Sequence, residues 1–288
     1  MSSASLSTDS TQSRIAAQQN AFKVAAIQMA SGPNVEGNLS EARRLIAKAA
    51  EQGAKLVVLP EFFAIMGMDE QDKVKVREQA GQGTIQQFMS ETARKHQIWL
   101  MGSLPLVANA PDKVRNSLLV FDETGAQVAR YDKIHLFNLT LGNESYNEAQ
   151  TIEAGDKVVV VDSPFGRIGL AVCYDLRFPE IFRAMKDVSI IVLPSAFTAT
   201  TGKVHWEPLV RARAIENLSY VIAAAQGGYH VSGRETHGHS MIVDPWGRIM
   251  DELQRGSGVV IAEVNPGYQA SLRKSLPALS HRTFSCDR

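Results

Sequence analysis

The feature that most restricts this chain is a series of short, unbroken apolar runs separated by stretches of helical periodicity. A strand that is apolar at every position, rather than at alternate ones, needs cover on both faces, which calls for layered sheets and helices. Residues 23–29 read as such a buried strand, bounded by the turn Ser31-Gly32-Pro33. Residues 38–51 carry Leu39, Ala42, Leu45, Ile46 and Ala49 at helical spacing, and Gly53 stops the helix. Residues 56–59 form a second buried strand ended by Pro60, followed by a helix over residues 84–96 and a strand over 98–102. This is an α/β layered pattern.

Two echoes divide the chain. The hairpin of residues 117–122 and 127–131, joined through Glu123-Thr124-Gly125, returns as residues 240–244 and 248–250 joined through Pro245-Trp246-Gly247. Likewise Val57-Val58-Leu59-Pro60-Glu61 returns as Ile191-Val192-Leu193-Pro194-Ser195. The comparable positions favour a four-layer αββα sandwich of two similar halves over one open sheet. Residues 21–288 are expected to form this one domain. Residues 1–20, rich in Ser, Thr and Gln, lack the apolar centre of a secretory signal and read as a disordered extension. A transit peptide is the alternative, thinly supported by a single arginine.

Charge narrows the choice of partner. Thirty basic and thirty acidic residues cancel and form no basic block, so neither nucleic acid nor an anionic membrane is expected as partner. No apolar run reaches the roughly 18 residues of a membrane span. A small-molecule ligand remains. The two cysteines, Cys173 and Cys286, lie far apart, so a reducing, cytoplasmic setting is expected rather than a disulfide framework.

Three polar residues follow apolar strands closely: Glu61 after residues 56–60, Lys133 after 128–131 and Cys173 after 168–172. Strand ends are where a rigid scaffold meets an accessible cleft, and a carboxylate, an ammonium and a thiol suffice for acyl transfer. Each also has a plain structural reading: a small core thiol, a turn carboxylate and a surface lysine.

The wording around them is distinctive. Val57-Val58-Leu59-Pro60-Glu61, Tyr131-Asp132-Lys133-Ile134-His135-Leu136-Phe137 and Gly169-Leu170-Ala171-Val172-Cys173-Tyr174-Asp175-Leu176-Arg177-Phe178-Pro179-Glu180 resemble, in order, the three signature segments of the nitrilase superfamily of carbon–nitrogen hydrolases. The resemblance runs from about Lys23 to Arg282. It implies the αββα sandwich, a catalytic triad at Glu61, Lys133 and Cys173, and association into a homodimer or larger homo-oligomer. Within the superfamily, residues 194–197, 205–207, 209–216 and 238–247 are similar to the Nit amidases. The deaminated-glutathione amidases are favoured over the ω-amidases, which act on 2-oxoglutaramate, by the wording of residues 211–214, 223–226 and 243–245.

The residue types suit the reaction that the resemblance implies. An ammonium beside Cys173 would hold part of the thiol as thiolate and, with the backbone N–H of Tyr174, face the oxyanion of the tetrahedral intermediate. Glu61 would move the thiol proton to departing ammonia and then activate water. Tyr146-Asn147-Glu148 resembles the loop carrying an accessory glutamate, so Glu148 is expected to keep Lys133 protonated, with a solvated loop acid as the alternative. A 2-oxo acid brings a carboxylate, for which Arg177 is the arginine candidate, with Phe197 and Thr198 as one wall. The alternative reading of Arg177 is a structural ion pair with Glu180 or Asp175. No cofactor and no metal is called for: His237 and His239 would point the same way only in an extended segment, and no carboxylate stands at a recognised metal spacing. The remaining rivals are a nitrilase proper, which uses the same triad, and a silent scaffold, which has no chemical need for it.

Overall fold

A computed structural model describes residues 20–142 and 144–284. The expected extension over residues 1–20, apart from Asn20, lies outside the described residues, as does Cys286. The first sheet contains β1 (Phe22–Gln28), β2 (Ala54–Val58), β3 (Trp99–Val107), β4 (Val114–Phe121), β5 (Gln127–Asp132) and the late strand β16 (Gly258–Val264), in the order β16-β1-β2-β3-β4-β5. A small ribbon pairs β6 (Asn138–Leu141) with β7 (Glu144–Asn147). The second sheet contains β8 (Val160–Ser163), β9 (Gly166–Leu170), β10 (Ile190–Ser195), β11 (Tyr220–Ala225), β14 (Ser240–Val243) and β15 (Ile249–Leu253), in the order β15-β14-β11-β10-β9-β8. Between β11 and β14 lies a second ribbon, β12 (Gly227–Tyr229) with β13 (Glu235–His237).

The two sheets repeat one plan. Each has three parallel strands, β1-β2-β3 and β9-β10-β11, an antiparallel strand on one side and an antiparallel hairpin on the other. The sequence echoes fall on equivalent elements: the ends of β2 and β10, and the hairpins β4–β5 and β14–β15. The described helices are α1 (Val35–Glu51), α2 (Asp72–Lys75), α3 (Thr84–His96), α4 (Pro179–Ala184), α5 (Ala199–Asn217) and α6 (Pro266–Ser275). None is long and apolar enough to cross a membrane.

Burial on both faces explains the unbroken apolar runs. On β1 and β2, Val24, Ala26, Leu56 and Val58 belong to the same core cluster as Ile191, Val192, Val221 and Ala223 of the second sheet. Their neighbours Ala25, Ile27, Val57 and Leu59 face Leu39, Leu45 and Ile46 of α1 and Phe88 and Met89 of α3. On the far side, Phe182 of α4 and Trp206, Val210 and Ala214 of α5 pack against the second sheet. The result is the four-layer αββα sandwich expected from the sequence.

Element ends moved where a polar side chain decides them. The first helix starts at Val35 rather than residue 38, because the Asn34 side chain caps it by accepting the Gly37 N–H at 2.8 Å. Asn38 is instead buried, bonding Gly32 and the Ala64 carbonyl beyond Glu61. The strand expected over residues 98–102 continues to Val107, carrying Ser103 and Pro105 inside a sheet where β4 pairs with it throughout.

Leu45 is 1% exposed and lies between α1 and the first sheet. Leu45→Ala is expected to cost about 2–5 kcal/mol of unfolding free energy, through lost burial and the cavity left behind. Guanidinium titration checks this, and the activity of the folded fraction at 25 °C should be unchanged.

Candidate active site

Each candidate side chain is held by backbone geometry that its surroundings fix. Glu61 follows β2, and both sheets pin it: Phe62 N–H donates to Ser103 Oγ at 3.1 Å, and Gln226 Nε2 donates to the Glu61 carbonyl at 3.0 Å. Lys133 follows β5, its N–H donating to Asn116 O at 2.9 Å and its carbonyl accepting from Gly155 N–H at 2.8 Å. Gly155 is required by close approach, since a Cβ there would lie 2.1 Å from the Asp132 carbonyl oxygen.

Cys173 sits three residues beyond the end of β9 and opens a 3₁₀ turn, Cys173–Arg177. Its φ of 50° is a left-handed conformation uncommon for a residue with a side chain, and a buried carboxylate stabilises the turn around it. Asp175 accepts Val172 N–H at 2.9 Å and the Tyr131 hydroxyl at 2.6 Å. It also accepts His135 N–H at 3.1 Å, and the His135 ring lies 2.7 Å away. The segment carrying Lys133 is thereby tied to the turn carrying Cys173.

These loops bring the expected charges together. Lys133 Nζ lies 2.9 Å from Glu61 Oε1 and 2.8 and 3.0 Å from the two oxygens of Glu148. Asn116 Nδ2 donates to the same Glu61 oxygen at 2.8 Å, and Phe137 N–H donates to Glu148 at 2.8 Å. Glu148 is therefore an ion-pair partner of Lys133 and not a solvated loop acid. Lys133 and Glu61 are almost wholly buried, at 1% and 2% exposure, while Cys173 keeps 7%. The Cys173 sulfur accepts Ala196 N–H at 3.5 Å and borders a hollow of about 20 Å³ together with Glu61 and Glu148. Through Glu61, Phe137, Glu148, Ala196 and Arg234 this hollow adjoins a cavity of about 240 Å³. A larger cavity of about 760 Å³ lies elsewhere and is lined by none of these five residues; the polar chemistry is at the smaller ones.

The electrostatics differ from the sequence expectation in one respect. Burial disfavours the Lys133 ammonium, but Glu148 and Glu61 outweigh it and hold the lysine well above its ordinary range. Burial, then Glu61, push the Cys173 thiol well above the ordinary thiol range. The opposing pull of Lys133 is too small, and Glu148 adds to the rise. Burial above all, with the two carboxylates on the same side, favours the neutral thiol over the thiolate expected from a lone ammonium.

The substrate-side candidates are gathered too. Tyr174 packs edge-on against Phe137 at 5.2 Å between ring centres. Arg177 lies over the Tyr174 and Phe197 rings at 5.6 and 5.2 Å, and its Nη1 is 3.1 Å from His205 Nδ1. It pairs with neither Glu180 nor Asp175. Thr198 borders the hollow, but its hydroxyl caps α5 by accepting Thr201 N–H at 3.2 Å. His237 and His239 stack at 4.2 Å although the chain leaves the extended conformation at Gly238 and His239. Burial, then His239, lower His237 to about 4.

Sequence reading missed Asn116, Asp175 and Arg234. Asn116 had a signal, being an amide inside an apolar strand, where an unpaired polar group is costly. Asp175 had a weaker one, as a carboxylate two residues past the thiol. Arg234 had none, standing in a polar Gly-Ser turn.

Comparisons with known proteins show the family and the fold. Residues 23–274 match the profile of the Carbon-nitrogen hydrolase family. The chain is 42% identical over 271 residues to a deaminated glutathione amidase of Synechocystis sp., covering 91% of this chain and 98% of that protein. It is 34% identical over 272 residues to the Omega-amidase NIT3 of Saccharomyces cerevisiae, covering 91% and 94%. The crystal structure of Saccharomyces cerevisiae Nit3, a member of branch 10 of the nitrilase superfamily, superposes with a TM-score of 0.84 at 32% identity, covering 93% of this chain and 98% of that one.

With its pKa raised, Cys173 should be alkylated by iodoacetamide with a pH midpoint above the roughly 8.5 of a free thiol. Glu148→Gln removes one of the carboxylates that raise it, so the midpoint should move to lower pH while amide turnover falls. A midpoint unmoved or raised by this variant would refute the electrostatic account.

Proposed function

Because the chain belongs to the carbon–nitrogen hydrolase family, we propose that it is an amidase working through a cysteine thioester, with Cys173 as nucleophile, Glu61 as proton carrier and Lys133 as fixed cation. The observation that carries this reading is the buried contact of one ammonium with two carboxylates beside an accessible sulfur. A thiol at rest needs a base at the moment of attack, and Glu61 takes its proton as the C–S bond forms. The carbonyl oxygen becomes an oxyanion, stabilised by Lys133 and the backbone N–H of Tyr174. Glu61 then returns the proton to the amide nitrogen, the C–N bond breaks, and the amine departs. In the second half Glu61 draws a proton from water. The hydroxide attacks the thioester, the C–S bond breaks, and the proton goes back to sulfur. Glu148 keeps Lys133 charged throughout.

The substrate we propose is deaminated glutathione, a 2-oxo acid whose side amide is joined to a dipeptide. The departing group is then an amine and not the ammonia of a primary amide. Ammonia needs about a water's share of volume, roughly 30 Å³. The adjoining cavity of about 240 Å³ has room for a much larger leaving group, which supports this choice over 2-oxoglutaramate. A nucleophilic thiol suits a reducing compartment such as the cytoplasm. Assembly into a homodimer or larger homo-oligomer belongs to the same proposal.

Comparison of kcat/KM for deaminated glutathione and 2-oxoglutaramate under identical conditions tests the substrate, with the first expected to be higher. A higher value for the second makes the chain an ω-amidase. Cys173→Ala should abolish both activities without lowering the melting temperature, and mass spectrometry should find an acyl adduct on Cys173 of the wild type. Full activity in Cys173→Ala would end the thioester mechanism.

A further inference from the structure

Resting on the reading that the substrate is a 2-oxo acid, we infer that Arg234 binds the substrate's carboxylate and thereby sets the preference for anionic amides. The hollow itself is hostile to such a group, because Glu61 and Glu148 outnumber Lys133 and both carboxylates are committed to that single ammonium. A carboxylate entering a poorly hydrated site of net negative charge needs a free cation there. Three cations, Lys73, Arg177 and Arg234, border the hollow and the cavity beside it, and Lys133 lies buried against the two carboxylates. Lys133 is saturated, and Lys73 is paired with Glu70. Arg177 lies on two aromatic faces with one terminal nitrogen engaged by His205.

Arg234 is different. It lines both spaces, at their junction. Among the described residues no carboxylate forms an ion pair with it; its Nη2 donates to the Ala196 carbonyl at 3.2 Å and its guanidinium lies 5.2 Å over the Tyr146 ring. Its Nε is buried without a hydrogen-bond partner, which leaves a charged donor unsatisfied beside the site.

The spacing suits the substrate. Ala196 touches both ends, its N–H reaching Cys173 Sγ at 3.5 Å and its carbonyl accepting from Arg234. Sulfur and guanidinium are therefore separated by no more than about 10 Å, one residue and two contacts. In the proposed acyl group four C–C bonds separate the scissile carbon from the 2-oxo carboxylate, about 5 Å when extended. Adding a C–S bond at one end and a hydrogen bond at the other fills the interval. The planar fork of Arg234 can then meet the carboxylate in two places.

The test compares deaminated glutathione with an analogue in which the 2-oxo carboxylate is a primary amide, the carboxylate of the dipeptide being common to both. Arg234→Gln should raise KM for the acid about ten- to a hundredfold, the usual loss for a hydrogen-bonded charge, and leave kcat/KM for the analogue within about threefold. The analogue also reports whether the variant is folded. Arg234→Lys should recover part of the loss, since it restores charge without the fork. An unchanged acid-to-analogue preference in Arg234→Gln overturns the inference, as does a larger loss of preference in Arg177→Gln. If the wild type cleaves the analogue but not the acid, the 2-oxo-acid reading itself fails, and the inference with it.

Discussion

Everything in this molecule that bears on chemistry depends on burying one ammonium between two carboxylates. Lys133 has almost no contact with solvent, and an unpaired charge there would cost several kcal/mol even after relaxation. Glu61 and Glu148 make the burial tolerable, and Asn116 and the Phe137 N–H supply further donors to their oxygens. Such a cluster is stable only if all its members arrive together, because removing one partner strands the others. Its members come from three separate loops, so the sandwich must hold three loop positions rigidly, and much of the polar bonding around the site does that.

The doubled architecture explains how. Two sheets of the same plan pack face to face, and the ends of their central parallel strands meet at one edge of the interface. The equivalent ends of β2 and β10 carry the same apolar wording but finish differently, in Glu61 and in Ser195. The repeat supplies the scaffold and departures from it supply the chemistry. Crossing bonds join the halves near the site. Gln226, just past β11, holds the Glu61 carbonyl and Ser31, while Asp175 links the Tyr131–His135 segment to the Cys173 turn.

What could be read from the chain follows this division. Strands buried on both faces announce themselves by unbroken apolar runs, and the helix over residues 84–96 was bounded correctly because its apolar face and polar ends coincide with its limits. The four-layer arrangement was legible because the echoes fall on equivalent strands. Boundaries set by one side chain, as at Asn34, were not. At the site, Glu61, Lys133, Cys173 and Glu148 were found through segment resemblance, since nothing in their spacing along the chain implies contact. Arg234 was invisible for the opposite reason: it belongs to a polar turn whose composition matches that of any surface loop.

The protonation of Cys173 illustrates a limit of reasoning from residue types. A thiol near a lysine suggests a thiolate, and that inference holds when the lysine acts alone. Here the lysine's field is spent on two carboxylates, and the balance at the sulfur favours the neutral form. This changes the logic of the site. A resting thiolate would need its ammonium mainly to lower its pKa, whereas a resting thiol needs a base within the same cluster and a cation that strengthens its hold as negative charge leaves the sulfur for the substrate oxygen. The two carboxylates that add to burial in keeping the sulfur neutral also oppose an anionic substrate. Acceptance of such a substrate must therefore come from a cation outside the Lys133 cluster, and among the charges bordering the site the guanidinium with an unmet donor is the one not already committed to another carboxylate or to a histidine.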